Sequence, residues 1–139
     1  MPEIPLLKEV PRDIAEWTRF FREVFLSGDF TGTLTGCATS PTGSLRYETA
    51  HNVVTIQIPA FSATSNTTAM TITGMPATLF PARQQIITVA VTDSGTTALG
   101  TVTVETTGVL TFAADITGAA FTASGTKGVP AATITYNLQ

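Results

Sequence analysis

Cysteine and histidine are nearly missing: the 139-residue chain holds one of each, Cys37 and His51. A single thiol excludes an internal disulfide and a cysteine-based zinc site, and a single imidazole excludes a multi-histidine metal centre. No cofactor or metal is therefore expected. Charge is scarce as well, at 12% of residues with a net charge of −3. That is about half the usual share of charged residues. This balance excludes recognition of nucleic acid through its phosphates, which needs a basic face. Long hydrophobic runs are also missing. The apolar run Ile4 to Leu7 is broken by Pro5. Neither a signal peptide nor membrane insertion is expected, and the chain is expected to be made and kept in a cytoplasm at first.

Threonine fills the space that charge leaves. It occurs 28 times, about a fifth of the chain, with 11 Gly and 8 Pro to punctuate turns. Its branched Cβ restricts χ1 and suits strands better than helix interiors. The composition thus predicts an all-β body with a surface of the kind found on virions and extracellular proteins.

The charges divide the chain. Residues 1–29 hold 10 of the 17 charged residues but only one threonine, Thr18. We read 1–29 as an N-terminal arm with an amphipathic anchor helix, and 30–139 as a β-sandwich knob. In the first part Pro11 suits a first helical position, Asp13 and Glu16 complement the helix dipole, and Gly28 suits a C-terminal cap. Ile14, Trp17, Phe21 and Val24 follow a heptad spacing, Phe25 widens the stripe and Phe20 departs from it. A helix of about 15 residues is marginal alone in water. Its aromatic stripe therefore needs a partner: another copy or another protein is preferred, and packing on its own β-domain is the alternative. These six residues are the expected anchor or oligomer interface.

The second part alternates short strands with turns. Strands are expected near 30–35, 43–49, 52–58, 68–73, 84–92, 98–104, 108–113 and 131–138. Val54, Ile56 and Ile58 share a face, as do Ile87, Val89 and Val91, and Ile134, Tyr136 and Leu138; this period of two means one buried and one solvated side. Turns are read at 50–52, 93–95, 107–108 and 125–128. About eight strands over such a length fit a jelly-roll-like β-sandwich preceded by one short α-helix.

Sites of chemistry are not apparent. His51 lies in a predicted hairpin turn without a nucleophile nearby, and the chain has no Gly-x-Ser-x-Gly elbow. Cys37 in its Gly/Thr/Ser loop reads as a small buried thiol. Asp93, Glu105 and Asp115 are the only acids after Glu48. Asp93 sits in an Asp-Ser-Gly turn, where it has a local structural role. The remaining single charges, Lys127 among them, read as surface polarity or isolated contacts. The expectation is that the protein is not an enzyme.

Two stretches carry a resemblance. One is His51-Asn52-Val53-Val54-Thr55-Ile56, followed by Thr71-Ile72-Thr73-Gly74-Met75-Pro76-Ala77-Thr78-Leu79-Phe80-Pro81. The other is Val91-Thr92-Asp93-Ser94-Gly95-Thr96-Thr97, followed by Thr107-Gly108-Val109-Leu110-Thr111-Phe112 and Phe121-Thr122-Ala123-Ser124-Gly125-Thr126-Lys127-Gly128. They resemble the β-rich knobs of tailed-bacteriophage virion proteins: fibre tips, head fibres and capsid decoration or cement proteins. The segment 11–21 looks like the short helix that precedes such knobs. The resemblance implies a homotrimer in the virion that contacts other capsid or tail proteins, with no catalytic residues. A short anchor rather than a shaft favours capsid decoration or a head fibre. The alternative is a tail-fibre or baseplate tip that binds a host receptor or surface glycan. Of 11 aromatic residues, five precede residue 31, which leaves few for sugar stacking in loops.

Overall fold

The computed structural model of the protein describes residues 25–139. It contains ten strands: β1 (Phe25–Thr35), β2 (Thr42–Ala50), β3 (Val53–Ile58), β4 (Phe61–Thr64), β5 (Thr71–Thr73), β6 (Gln85–Asp93), β7 (Thr96–Val104), β8 (Leu110–Ala113), β9 (Thr126–Val129) and β10 (Ala132–Asn137). The only helical element among the described residues is a 3-10 turn, Ala77–Leu79. The strands form one antiparallel sheet in the order β10-β3-β2-β1-β5-β8-β7-β6-β9-β4.

The alternation in the sequence explains which side faces in. Val54, Ile56, Ile58, Val89, Val91, Ile134 and Tyr136 are all buried, and they join Leu34, Leu45, Ile72, Val102 and Leu110 in a single core. One core served by every part of one sheet requires the sheet to curl until its inner side faces itself. Two contacts near the open edges hold the curl. Cys37, just after β1, bridges Ser65, just after β4. At the other edge, the Gln85 side-chain amide replaces a missing ladder: its Nε2 donates to the Asn137 carbonyl at 2.6 Å, and its Oε1 accepts from the Asn137 N–H at 2.9 Å.

The all-β expectation holds, with corrections. The strand number is ten, because β4 and β9 were not foreseen. The segment 125–128, expected as a turn, is instead largely β9. A Cβ at Gly128 would lie 2.0 Å from the Phe61 carbonyl oxygen, so glycine there permits close strand approach rather than a bend. The order differs from that of a jelly roll: β1-β2-β3 and β6-β7-β8 are two consecutive meanders joined through β5. The expected helix residues Ile14, Trp17, Phe20, Phe21 and Val24 lie outside the described residues. Phe25, placed on the same helix, begins β1 opposite Ala50. Gly28 is not a helix cap: it pairs with Tyr47 within the strand, where a Cβ would sit 2.8 Å from the Tyr47 hydroxyl oxygen.

Candidate functional site

The register gives the molecule two ends. Phe25 pairs with Ala50, Ala50 with Val53, and Val53 with Asn137. The entry to β1, the His51 turn and the C-terminal Leu138 therefore share one end, the base. Strand β1 runs 11 residues away from it. The opposite end gathers the connections β1–β2, β4–β5, β6–β7 and β8–β9, and this loop end is the candidate functional site. Binding surfaces are commonly loops carried on a rigid sheet.

Lys127 stands at its centre. The side chain comes from β9, pairs across to Ala63, and is fully buried. Its ammonium donates to the carbonyls of Thr67 and Ala69, each at 2.7 Å, and lies 5.5 Å from the Phe121 ring centroid. One cation thus satisfies two carbonyls of the β4–β5 loop and packs on the β8–β9 loop. Burial lowers the amine pKa, and the Cys37 and Asp93 charges act against that shift. Cys37 is a buried thiol, as expected; burial raises its pKa and Lys127 works the other way.

Other side chains extend this wiring. Ser65 Oγ lies within donor distance of the Thr122 carbonyl, 2.6 Å, and of the Thr67 carbonyl, 3.1 Å. Thr67 Oγ1 reaches the Gly36 carbonyl at 3.3 Å and so ties in the β1–β2 loop. Asp93 accepts from the Thr122 N–H at 2.9 Å and the Thr122 hydroxyl at 3.0 Å, so both its oxygens are engaged. Asp115 Oδ1 caps its own turn, accepting from Thr117 N–H, Thr117 Oγ1 and Ala119 N–H, and these bonds lower its pKa. Every buried side-chain polar atom among the described residues has a partner.

The result is a pre-formed, nearly uncharged loop surface of Thr, Ser, Asn, Ala and Gly. No aromatic residue with a described side chain is exposed: Phe30, Phe61, Phe112, Phe121 and Tyr136 are buried, and Tyr47 and Phe80 are half-buried. Of the sequence-predicted site residues, the structure places only Phe25, at the base. Sequence reasoning missed Lys127, Ser65, Thr67 and Thr122. The available clue was Lys127 two residues before Val129, on the inward parity of a strand. His51 occupies the β2–β3 turn, as expected, with a positive φ of 57°.

At the base, a depression of about 300 Å³ is lined by Leu26, Tyr47, Thr49, His51, Thr78, Leu79 and Leu138. Its floor is fixed by Tyr136, whose buried hydroxyl donates to the Leu79 carbonyl at 2.7 Å. No group of three or more metal-ligating side chains occurs among the described residues.

No protein-family model matches the chain, and no curated protein matches it. Among solved structures, the chain is similar to the reovirus attachment protein sigma1, determined in complex with alpha-2,3-sialyllactose. The identity is 15% and the TM-score 0.49, over 84% of this chain and 67% of that one. A likeness this distant is partial and transfers neither a ligand nor an assembly.

Proposed function

We propose that this protein is a non-enzymatic structural virion protein of a tailed phage. It is a small homotrimeric knob held to the particle by its N-terminal segment, with capsid decoration or a head fibre as the favoured place. The observation that carries this reading is the division of labour between the two ends. The chain enters at the base, directly after the apolar segment that holds Trp17 and Phe21. The opposite end is a loop surface whose polar groups serve one another.

Its two acids support a non-catalytic role, because Asp93 and Asp115 are committed to holding loops. The lack of an exposed Phe or Tyr ring among the described side chains favours a structural role over sugar stacking. The alternative, a tail-fibre or baseplate tip that binds a host receptor or glycan, draws on the same loop end as a rigid platform.

The test is the Trp17→Ala/Phe21→Ala variant, scored for binding to particles that lack the protein. Fully burying each ring is worth on the order of 2 to 3 kcal/mol. Three linked copies multiply the loss. Attachment should weaken by orders of magnitude while the β-type circular dichroism persists. Unchanged attachment would remove the anchor. Lost attachment with a collapsed knob would show that the segment packs on its own β-domain.

A further inference from the structure

We infer that the depression at the base is the seat of this chain's own segment 20–24, with the Phe20 ring turned back into it to close the core where the chain enters. The inference rests on the anchor reading above only in leaving Trp17 and Phe21 to the particle.

The core is closed differently at its two ends. At the loop end it is covered by Lys127, fully buried, and by the loops bonded to it. At the base the inward side of the sheet ends in Leu26 of β1, Thr49 of β2 and Leu138, just after β10. Leu26 has the parity of the buried Phe30 and Leu34, Thr49 that of the buried Leu45, and Leu138 that of the buried Ile134 and Tyr136. These three residues help line the depression of about 300 Å³. Leu26 is nevertheless 48% exposed. Five large apolar side chains are exposed among the described residues, and Leu26 alone of them has inward parity. Val53, Ile86 and Leu99 have outward parity, and Ile116 lies in the turn that Asp115 caps. The inner side of a sheet packs on the core, so a half-exposed leucine there marks where further chain belongs.

Reach selects the occupant. Phe20 stands six positions before Leu26. Six residues span about 9 Å as a helix and about 20 Å when extended. Leu26 and Leu138 lie on strands three places apart in the sheet, about 14 Å along it. The middle of the depression is therefore within reach in either conformation. So short a tether holds the ring at an effective concentration on the order of millimolar, far above that of a second copy at micromolar concentration. The advantage falls with linker length, so Ile4, Leu6 and Leu7 compete less well.

The chemistry of the seat agrees. Its lining holds no carboxylate, lysine or arginine. A cavity of about 150 Å³ takes up a benzene ring, so a depression of about 300 Å³ accommodates a phenyl group and the neck of its chain. Phe20 is the aromatic residue that departs from the stripe of Ile14, Trp17, Phe21 and Val24. Seating it at the base leaves that stripe whole.

The experiment joins a thermal melt of the full chain to proton NOE contacts. Phe20→Ala should lower the melting temperature by about 5 °C or more, and Phe20→Leu should recover much of that loss. Trp17→Ala should shift it by less than about 1 °C. In the wild type the Phe20 ring should show NOE contacts to the methyl groups of Leu26 and Leu138. In a sample refolded from labelled and unlabelled chains, isotope-filtered spectra should show no such contact between chains. If Phe20→Ala does not fold, Phe20→Leu and the wild-type contacts decide. An unshifted melt or an absence of those contacts overturns the seat. Contacts between chains give the depression to a second copy. A larger loss from Phe21→Ala than from Phe20→Ala gives it to the stripe. Particle binding is read separately: unchanged attachment of Trp17→Ala/Phe21→Ala removes the anchor and leaves the seat standing, and loss of the seat leaves the anchor standing.

Discussion

The two ends of the curled sheet solve the same problem by different means. At the base, the β2–β3 and β7–β8 connections are tight and their backbone groups close on one another, while the longer segment between β5 and β6 carries the 3-10 turn. The β7–β8 turn is held by the Gly108 N–H to Glu105 carbonyl bond and the Glu105 N–H to Val109 carbonyl bond. The 3-10 turn is pinned by a neutral donor, the Tyr136 hydroxyl. At the loop end, the β4–β5 and β8–β9 connections are long, and side chains supply what the ladder cannot. Lys127, Ser65, Thr67 and Asp93 together close seven bonds to other loop residues, most of them over long sequence separations. Buried carbonyls must find donors wherever the ladder ends. The long β4–β5 and β8–β9 connections therefore draw on a charged, buried side chain, whereas the base needs only neutral ones, the Gln85 amide and the Tyr136 hydroxyl. The stability of the loop end is concentrated in a few replaceable atoms.

The sharpest break of this contrast is Lys127→Met, which leaves the carbonyls of Thr67 and Ala69 without their donor while preserving much of the volume. Hydrogen bonds to a charged group are worth about 1.5 to 3 kcal/mol, so a loss of about 2 to 4 kcal/mol in a urea melt is expected. Amide exchange should rise in the β4–β5 and β8–β9 loops before the base. A change below about 0.5 kcal/mol would show that Lys127 does not hold the loop end.

Alkaline titration tests the base. Burial raises the Tyr136 pKa in the folded protein. The phenol's contribution is therefore full below its unfolded value, about 10, and declines as pH rises beyond it, by up to about 1.4 kcal/mol per pH unit. Cys37, also raised, adds a loss above 9.0; Lys127, lowered, acts oppositely and gains as pH rises toward 10.5. Tyr136→Phe should be about 1 kcal/mol less stable at neutral pH, because Leu79 loses its donor, and should show a shallower decline above pH 10. An unchanged decline would assign the alkaline loss elsewhere.

The smallest effect is expected at the tip of the loop end. Gly118 has φ of 88° and nothing within 4 Å of a Cβ placed there. Gly118→Ala thus tests backbone strain alone, with a cost of about 1 kcal/mol in thermal stability and none in the packing of the wired loops. A larger loss would extend the cooperative network to the tip.

Much of the fold was legible along the chain. Threonine content and the alternation at Val54-Ile56-Ile58, Ile87-Val89-Val91 and Ile134-Tyr136 placed the strands and their inward faces, because period two is a local property. The His51 and Asp93-Ser94-Gly95 turns were local too. What lay beyond reach was what depends on partners distant in the sequence. Phe61–Thr64 and Thr126–Val129 are short, and they become strands by pairing with each other across more than sixty positions. Gly28 reads as a helix stop until Tyr47 stands across from it. Lys127 reads as a surface charge until β9 turns it inward beneath two carbonyls contributed by a loop some sixty residues away. Local periodicity is written in neighbouring residues, whereas sheet order and the burial of a charge are decided by which remote backbone groups the curl brings within a hydrogen bond.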